Sequence, residues 1–213
     1  VGANKNWNRM AGTVNDNVAK SAKREGESDS VVVKGCCNVD ESAGVILAWL
    51  FHYTSNERMG THVFENKHLG RWCSGDISSH SNHIGCEVLS PAPFENRMFN
   101  NVQVWKKGWE LNPDMLVLVA MPEKINDESQ KSGVNSSDAV LASSSAIFFL
   151  EELSTRVTRV TQIQETNLKI AGGNNMLSKA VSNFAAKYNL SVLDELYEKY
   201  KRSNKLVDEE MRR

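Results

Sequence analysis

The sequence predicts an α+β domain in which a curved antiparallel β-sheet wraps around a long C-terminal α-helix. Three observations point there. Strand-like segments follow one another from His68 to Thr166 with mostly hairpin-length links, the pattern of antiparallel neighbours. Helical spacing of apolar residues appears before that run, from Ala43 to Phe51, and after it, from Met176 to Tyr200. Helices segregated from a run of strands indicate α+β rather than alternating α/β architecture. Such a sheet has one inner face to cover. A long amphipathic helix covers it, and the space between the two can stay hollow.

The elements follow in order. Residues Val1 to Ser30 are polar, with Trp7, Met10 and Val14 as the apolar points, and read as a lead-in. Val31-Val32-Val33 is β-branched and ends at Gly35, which predicts a strand. Asp40 or Ser42 caps a helix whose apolar face is Ala43, Ile46, Leu47, Leu50 and Phe51. Ser55 opens a second short helix. Strands are expected at His68 to Ile77, Ile84 to Leu89, Arg97 to Lys107, Met115 to Met121, Ala146 to Glu152 and Thr155 to Thr166. Pro91 and Pro93 mark a bend, since proline donates nothing to a ladder. Pro122 to Ser145 is a long Ser-rich loop without period. Gly172-Gly173 breaks the chain before the last helix. Ser191 with Asp194 is positioned to recap it as a second one. The domain is expected over residues 31–200, with a charged tail at 201–213.

The chain has 213 residues, 25 basic and 26 acidic, for a formal net charge of -1. That balance argues against a dedicated nucleic-acid binder, which needs a basic face for phosphates. The longest apolar runs are far shorter than the roughly 20 residues of a membrane-spanning helix. Four cysteines make no dense disulfide framework, so free thiols and a cytoplasmic location are expected. Val1 rather than methionine opens the chain, and other domains of a larger parent protein are expected as neighbours.

Several segments resemble the START (StAR-related lipid transfer) family of helix-grip domains. VVVKGCCNVDES, Val31 to Ser42, is similar to the strand running into the family's first helix. SPAPFENRMF, Ser90 to Phe99, is similar to its proline-bearing bend followed by arginine and an aromatic residue. TRVTRVTQIQETNLK, Thr155 to Lys169, resembles its Thr-rich last strand, and Gly172-Gly173 its break before the long helix. The resemblance covers roughly Val31 to Tyr200. It implies a helix-grip fold with an internal apolar cavity for a lipid or sterol-like molecule, used in transfer or sensing, with transient membrane contact. Gln103 stands where some sterol-binding members carry a second arginine.

On that reading, Phe99, Val117, Val119, Phe149 and Val160 are the expected strand wall of the cavity. Leu177, Val181, Phe184 and Tyr188 are its helical lid. Arg97 is either a head-group anchor or, more in keeping with a buried cation, a structural ion-pair partner of Glu87 or Glu95. Trp105 and Trp109 around Lys106-Lys107 are either an aromatic contact with membrane or, the stronger reading, an ordinary hairpin end with snorkelling lysines.

Cys73, His80, His83 and Cys86 are zinc-competent residue types, but they match no standard ligand spacing, and neither metal nor cofactor is expected. No nucleophile elbow, Walker loop or dinucleotide fingerprint is present. The expectation is therefore binding without catalysis. In an enzymatic version, His52, His62 and Arg97 would be the first residues to test. The alternative of another class is a regulatory interaction module whose cavity is closed.

Overall fold

A computed structural model describes residues 8–9, 19–24, 30–66, 69–74, 78–90, 92, 94–109, 112–123, 139–169 and 175–200, excepting the side chains of 8–9, 19–24, 74, 109 and 175–182. The strands are β1 (Asn8–Arg9), β2 (Ala19–Arg24), β3 (Ser30–Val39), β4 (Arg71–Ser74), β5 (Ser81–Val88), β6 (Arg97–Trp109), β7 (Asn112–Pro122), β8 (Val140–Leu141), β9 (Ser143–Ser154) and β10 (Val157–Asn167). The helices are α1 (Ala43–Phe51), α2 (Asn56–Glu65) and α3 (Asn175–Tyr200). Among the described residues the strands form one sheet in the order β1-β2-β3-β10-β9-β7-β6-β5-β4. Neighbours along that path are antiparallel, and the short β8 runs parallel beside β6. No helix among the described residues is long and apolar enough to cross a membrane.

Register decides which side chains face the helices. Leu118 pairs with Phe148, Phe148 with Gln162, and Gln162 with Gly35. These positions and their alternate neighbours form the concave face, because side chains along a strand alternate. Val33, Leu118, Leu150 and Val160 on that face are at most 1% exposed, and they pack with Ile46 and Leu50 of α1. Helix α3 crosses β3 and β10 and buries Ala186, Leu190, Leu193 and Tyr197 at intervals of three and four residues, one stripe of a helix.

Three expectations change in the tertiary structure. Strand β3 does not stop at Gly35 but runs to Val39, because β10 supplies partners along that whole length. The orphan N–H of Ala43 at the start of α1 is not capped by Ser42 or Asp40. It donates to Glu152 Oε1 of β9 at 3.2 Å, a cap delivered across the core. Ser191 does not recap α3; its hydroxyl donates to the Tyr188 carbonyl at 2.7 Å, and the helix continues to Tyr200. The core of the Pro122–Ser145 loop, Pro91, Pro93, the Gly172-Gly173 break, the tail from Lys201 and most of the lead-in lie outside the described residues.

Candidate functional site

Helix α2 carries its polarity inside out. Ser55 caps it, its Oγ accepting from Arg58 N at 3.5 Å. Its buried residues are Arg58 and His62, while Phe64 is 88% exposed. A helix that turns an arginine and a histidine inward has polar work to do there.

His62 fastens α2 to the edge of the sheet. Its Nε2 lies 3.1 Å from the Gly70 carbonyl, which accepts only, so Nε2 holds the proton and donates. Nδ1 then accepts from the Asn66 amide at 3.3 Å. Asn66 Oδ1 in turn accepts from Leu89 N at 3.0 Å. Burial first, and then the charge of Arg71, push the imidazole below its ordinary value, so it stays neutral.

Between α2, the flank of α3 and the sheet lies a chamber of about 140 Å³. Ile84, Ala120, Ala146 and Phe148 give it an apolar floor, while Arg58, Arg71, Gln103, Gln164, Asn189 and Glu195 give it polar walls. The chamber is thus more polar than the expected apolar cavity. It adjoins a groove of about 370 Å³ with mainly apolar walls that include Leu89 and Phe184, and the two share Glu65, Tyr188 and Ser191. On one side α3 is clamped by polar bonds. Gln162 donates to the Asn189 carbonyl (2.7 Å), Gln164 to Asn189 Oδ1 (3.1 Å), and Asn189 Nδ2 to Thr166 Oγ1 (2.9 Å).

Two guanidinium groups dominate the opposite wall. Arg71, at the start of β4, stacks on Tyr53 with Cζ 3.5 Å from the ring centroid. Arg58 sits 4.5 Å over Trp49 and 5.3 Å from the Tyr53 centroid, and Nη1 donates to the Leu50 carbonyl at 2.9 Å. Burial, then the neighbouring Arg71 charge, lower the Arg58 pKa to about 10. Tyr53 and Tyr188 are held protonated chiefly by burial. Burial likewise pushes the Glu195 carboxyl up, against the pull of Arg58.

The expected site residues divide. Tyr188 lines chamber and groove, and Phe184 lines the groove and stacks on Tyr188 with centroids 6.4 Å apart. Leu177 and Val181 have side chains outside the described residues. Phe99 and Val160 face the concave side but are packed into the core, opening on neither cavity. Val117, Val119 and Phe149 need correction: Val117 pairs with Phe149 and Val119 with Ile147, one residue out of phase with the chamber wall, so they lie on the opposite face of the sheet. Arg97 is also corrected. It is 5% exposed and held by main-chain carbonyls of Leu168 (2.7 Å), Asn96 (3.3 Å) and Glu95, with the Glu95 charge supporting its guanidinium, so it ties β6 to the end of β10 and lines neither cavity.

The zinc-competent residues point to different tasks. His80 stacks on Trp105, His83 meets Glu123 at 3.0 Å, Thr54 donates to Cys73, and Cys86 is buried against Tyr53 and Tyr188. Sequence reasoning missed Arg58, Arg71, Tyr53 and Glu195. The inward-polar phase of α2, Arg58 and His62 one turn apart, was the available signal.

This fold superposes on several solved structures, lipid transfer domains among them. Human STARD10 superposes with a TM-score of 0.65 at 12% identity, over 98% of this chain and 78% of that one. A STAR-related lipid transfer protein fragment from Xanthomonas axonopodis gives 0.68 at 9% identity, over 93% and 100%. The lipid transfer and protein localization domain of human StarD13 gives 0.56 at 17% identity, over 85% and 87%. The chain has the START helix-grip fold. No protein-family model and no curated protein sequence matches it. Within this START-type frame, Gln103, the position compared above with an arginine of some sterol-binding members, lines the chamber, and the cationic groups there are on α2 and β4.

Proposed function

We propose that this START-fold protein binds a lipid-class amphipathic molecule between sheet and α3, for transfer or sensing in the cytoplasm, without catalysis. The observation that carries this reading is a polar chamber lying next to an apolar groove, with Glu65, Tyr188 and Ser191 lining both. A ligand with one polar end and one apolar end matches that division. Binding without chemistry is supported by the residues most suited to catalysis: both His62 ring nitrogens are engaged, Arg97 is spent on carbonyls, and His52 is exposed.

The size of the chamber favours a second reading. At about 140 Å³ it falls below the roughly 300–1,000 Å³ of pockets that enclose a drug-sized ligand. A lipid therefore needs the groove, or an outward movement of α3, as well. Otherwise the domain is a regulatory module with a closed interior. Native mass spectrometry of protein purified from cells, followed by uptake of a fluorescent long-chain fatty acid or sterol, separates the two. A recurrent bound lipid or saturable uptake is expected; neither appearing defeats the lipid reading.

A further inference from the structure

Two strands carry their polarity turned round. In β6, Asn101 and Gln103 line the chamber, so Val102 and Val104, which alternate with them, lie on the far face of the sheet. In β10, Gln164 lines the chamber and Gln162 bonds α3, so Ile163 between them lies on the far face too. The register sets these outward residues side by side. Gln103, Ala120, Ala146 and Gln164 are level with one another on the chamber wall. Val104, Val119, Ile147 and Ile163, one position away, therefore form a single apolar row across β6, β7, β9 and β10 on the outer face. Val102 with Met121, and Val117 with Phe149, extend it on either side.

Val104 is 45% and Met121 53% exposed. No residue of the row belongs to the core that α1 and α3 share with the inner face, and α2 also lies on the inner side, against the chamber. An antiparallel strand with one wet face alternates apolar and polar residues, whereas a strand covered on both faces reads as a continuous apolar run. The middle of β7 and of β9 is such a run.

We propose that a second copy of this chain covers the outer face, sheet against sheet, about a two-fold axis running along the strands between β7 and β9. Two sheets pack in this way about 10 Å apart with their strands within about 30° of each other. The axis lays Val104 of one copy on Ile163 of the other and Val119 on Ile147, and symmetry supplies the reverse contacts. The charges at the margin permit it. Lys106, Glu165 and Lys34 fall on Thr161, Val102 and Ser81 of the second copy, so no like charges are opposed. Glu151 is met within its own copy by Arg159 at 3.2 Å. The helices and chambers of such a dimer face outward, so both remain open to ligand.

Three apolar rows across four strands span about 20 by 20 Å, roughly 400 Å². A standard interface takes about 800 Å² from each partner, so the dimer is expected to be weak, with a Kd of about 1–100 μM. The test is sedimentation velocity of the full chain over about 1–500 μM, a range that brackets that Kd. The wild type is expected to pass reversibly from monomer to dimer. Val104→Lys and Met121→Glu, both at exposed positions, each put an unpaired charge into the contact and should weaken dimerisation by about 10-fold or more. If either variant does not fold by circular dichroism, Val104→Thr and Met121→Gln are read in the same way. A wild type that stays monomeric throughout, a species larger than a dimer, or dimerisation that the folded variants leave unchanged overturns the proposal.

Discussion

Gly85 supports the site from behind, and its replacement tests the geometry. It lies in β5 opposite Trp72 of β4, and the indole lies directly over it. A Cβ at Gly85 would come within 2.5 Å of Trp72 Cζ2 and 2.5 Å of Asn100 Oδ1. Carbon atoms rest at about 3.5–4.0 Å, so the ring must retreat by roughly 1 Å. Overpacking of this kind costs about 1–3 kcal/mol. For a chain of this length each kcal/mol moves Tm by about 2–4 °C, so Gly85→Ala should melt about 2–12 °C lower. The assay is thermal denaturation by circular dichroism on a double-mutant cycle with Trp72→Ala. With the indole gone, Gly85→Ala should cost much less, since the Asn100 amide can swing aside. An unchanged Tm for the single variant, or the same loss in both backgrounds, would refute the reasoning.

Leu190→Ala removes a side chain that is 0% exposed and should cost about 2–5 kcal/mol in urea denaturation. Phe184→Ala, at a half-buried groove position, should cost less but release a fluorescent lipid probe faster, as stopped-flow dissociation would report. His62 is held below its ordinary value of 6.5, so the unfolded chain takes up the proton first. Stability should therefore fall as pH drops below that value, and melts between about pH 8 and pH 5 should show a shallower fall for His62→Gln. Glu195 is shifted the other way: burial raises it above 4.5, so its ionisation opposes folding once pH exceeds the folded value. Glu195→Gln should raise Tm at neutral pH and leave it unchanged in acid below 4.5.

The sequence by itself determined the element order, the antiparallel pattern and the amphipathic last helix. Those signals are local: β-branched runs, helical spacing and turn residues act within a few positions of one another. It could not determine strand phase where both faces are apolar. Leu116-Val117-Leu118-Val119-Ala120 and Ile147-Phe148-Phe149-Leu150 alternate nothing, so only the pairing of Leu118 with Phe148 assigns Val117 and Phe149 to the far side. Arg97 looked special in sequence because it follows the proline bend, yet its donors are taken by the carbonyls of Leu168 and its own neighbours. Arg58 and Arg71 looked ordinary, each a cation with no motif around it. The tertiary structure joined them, because α2 packs its polar face inward while the edge strand β4 brings Arg71 onto Tyr53. A site assembled from a helix, a loop and an edge strand has no spacing to read, since its distances are set by packing across the core and not by separation along the chain.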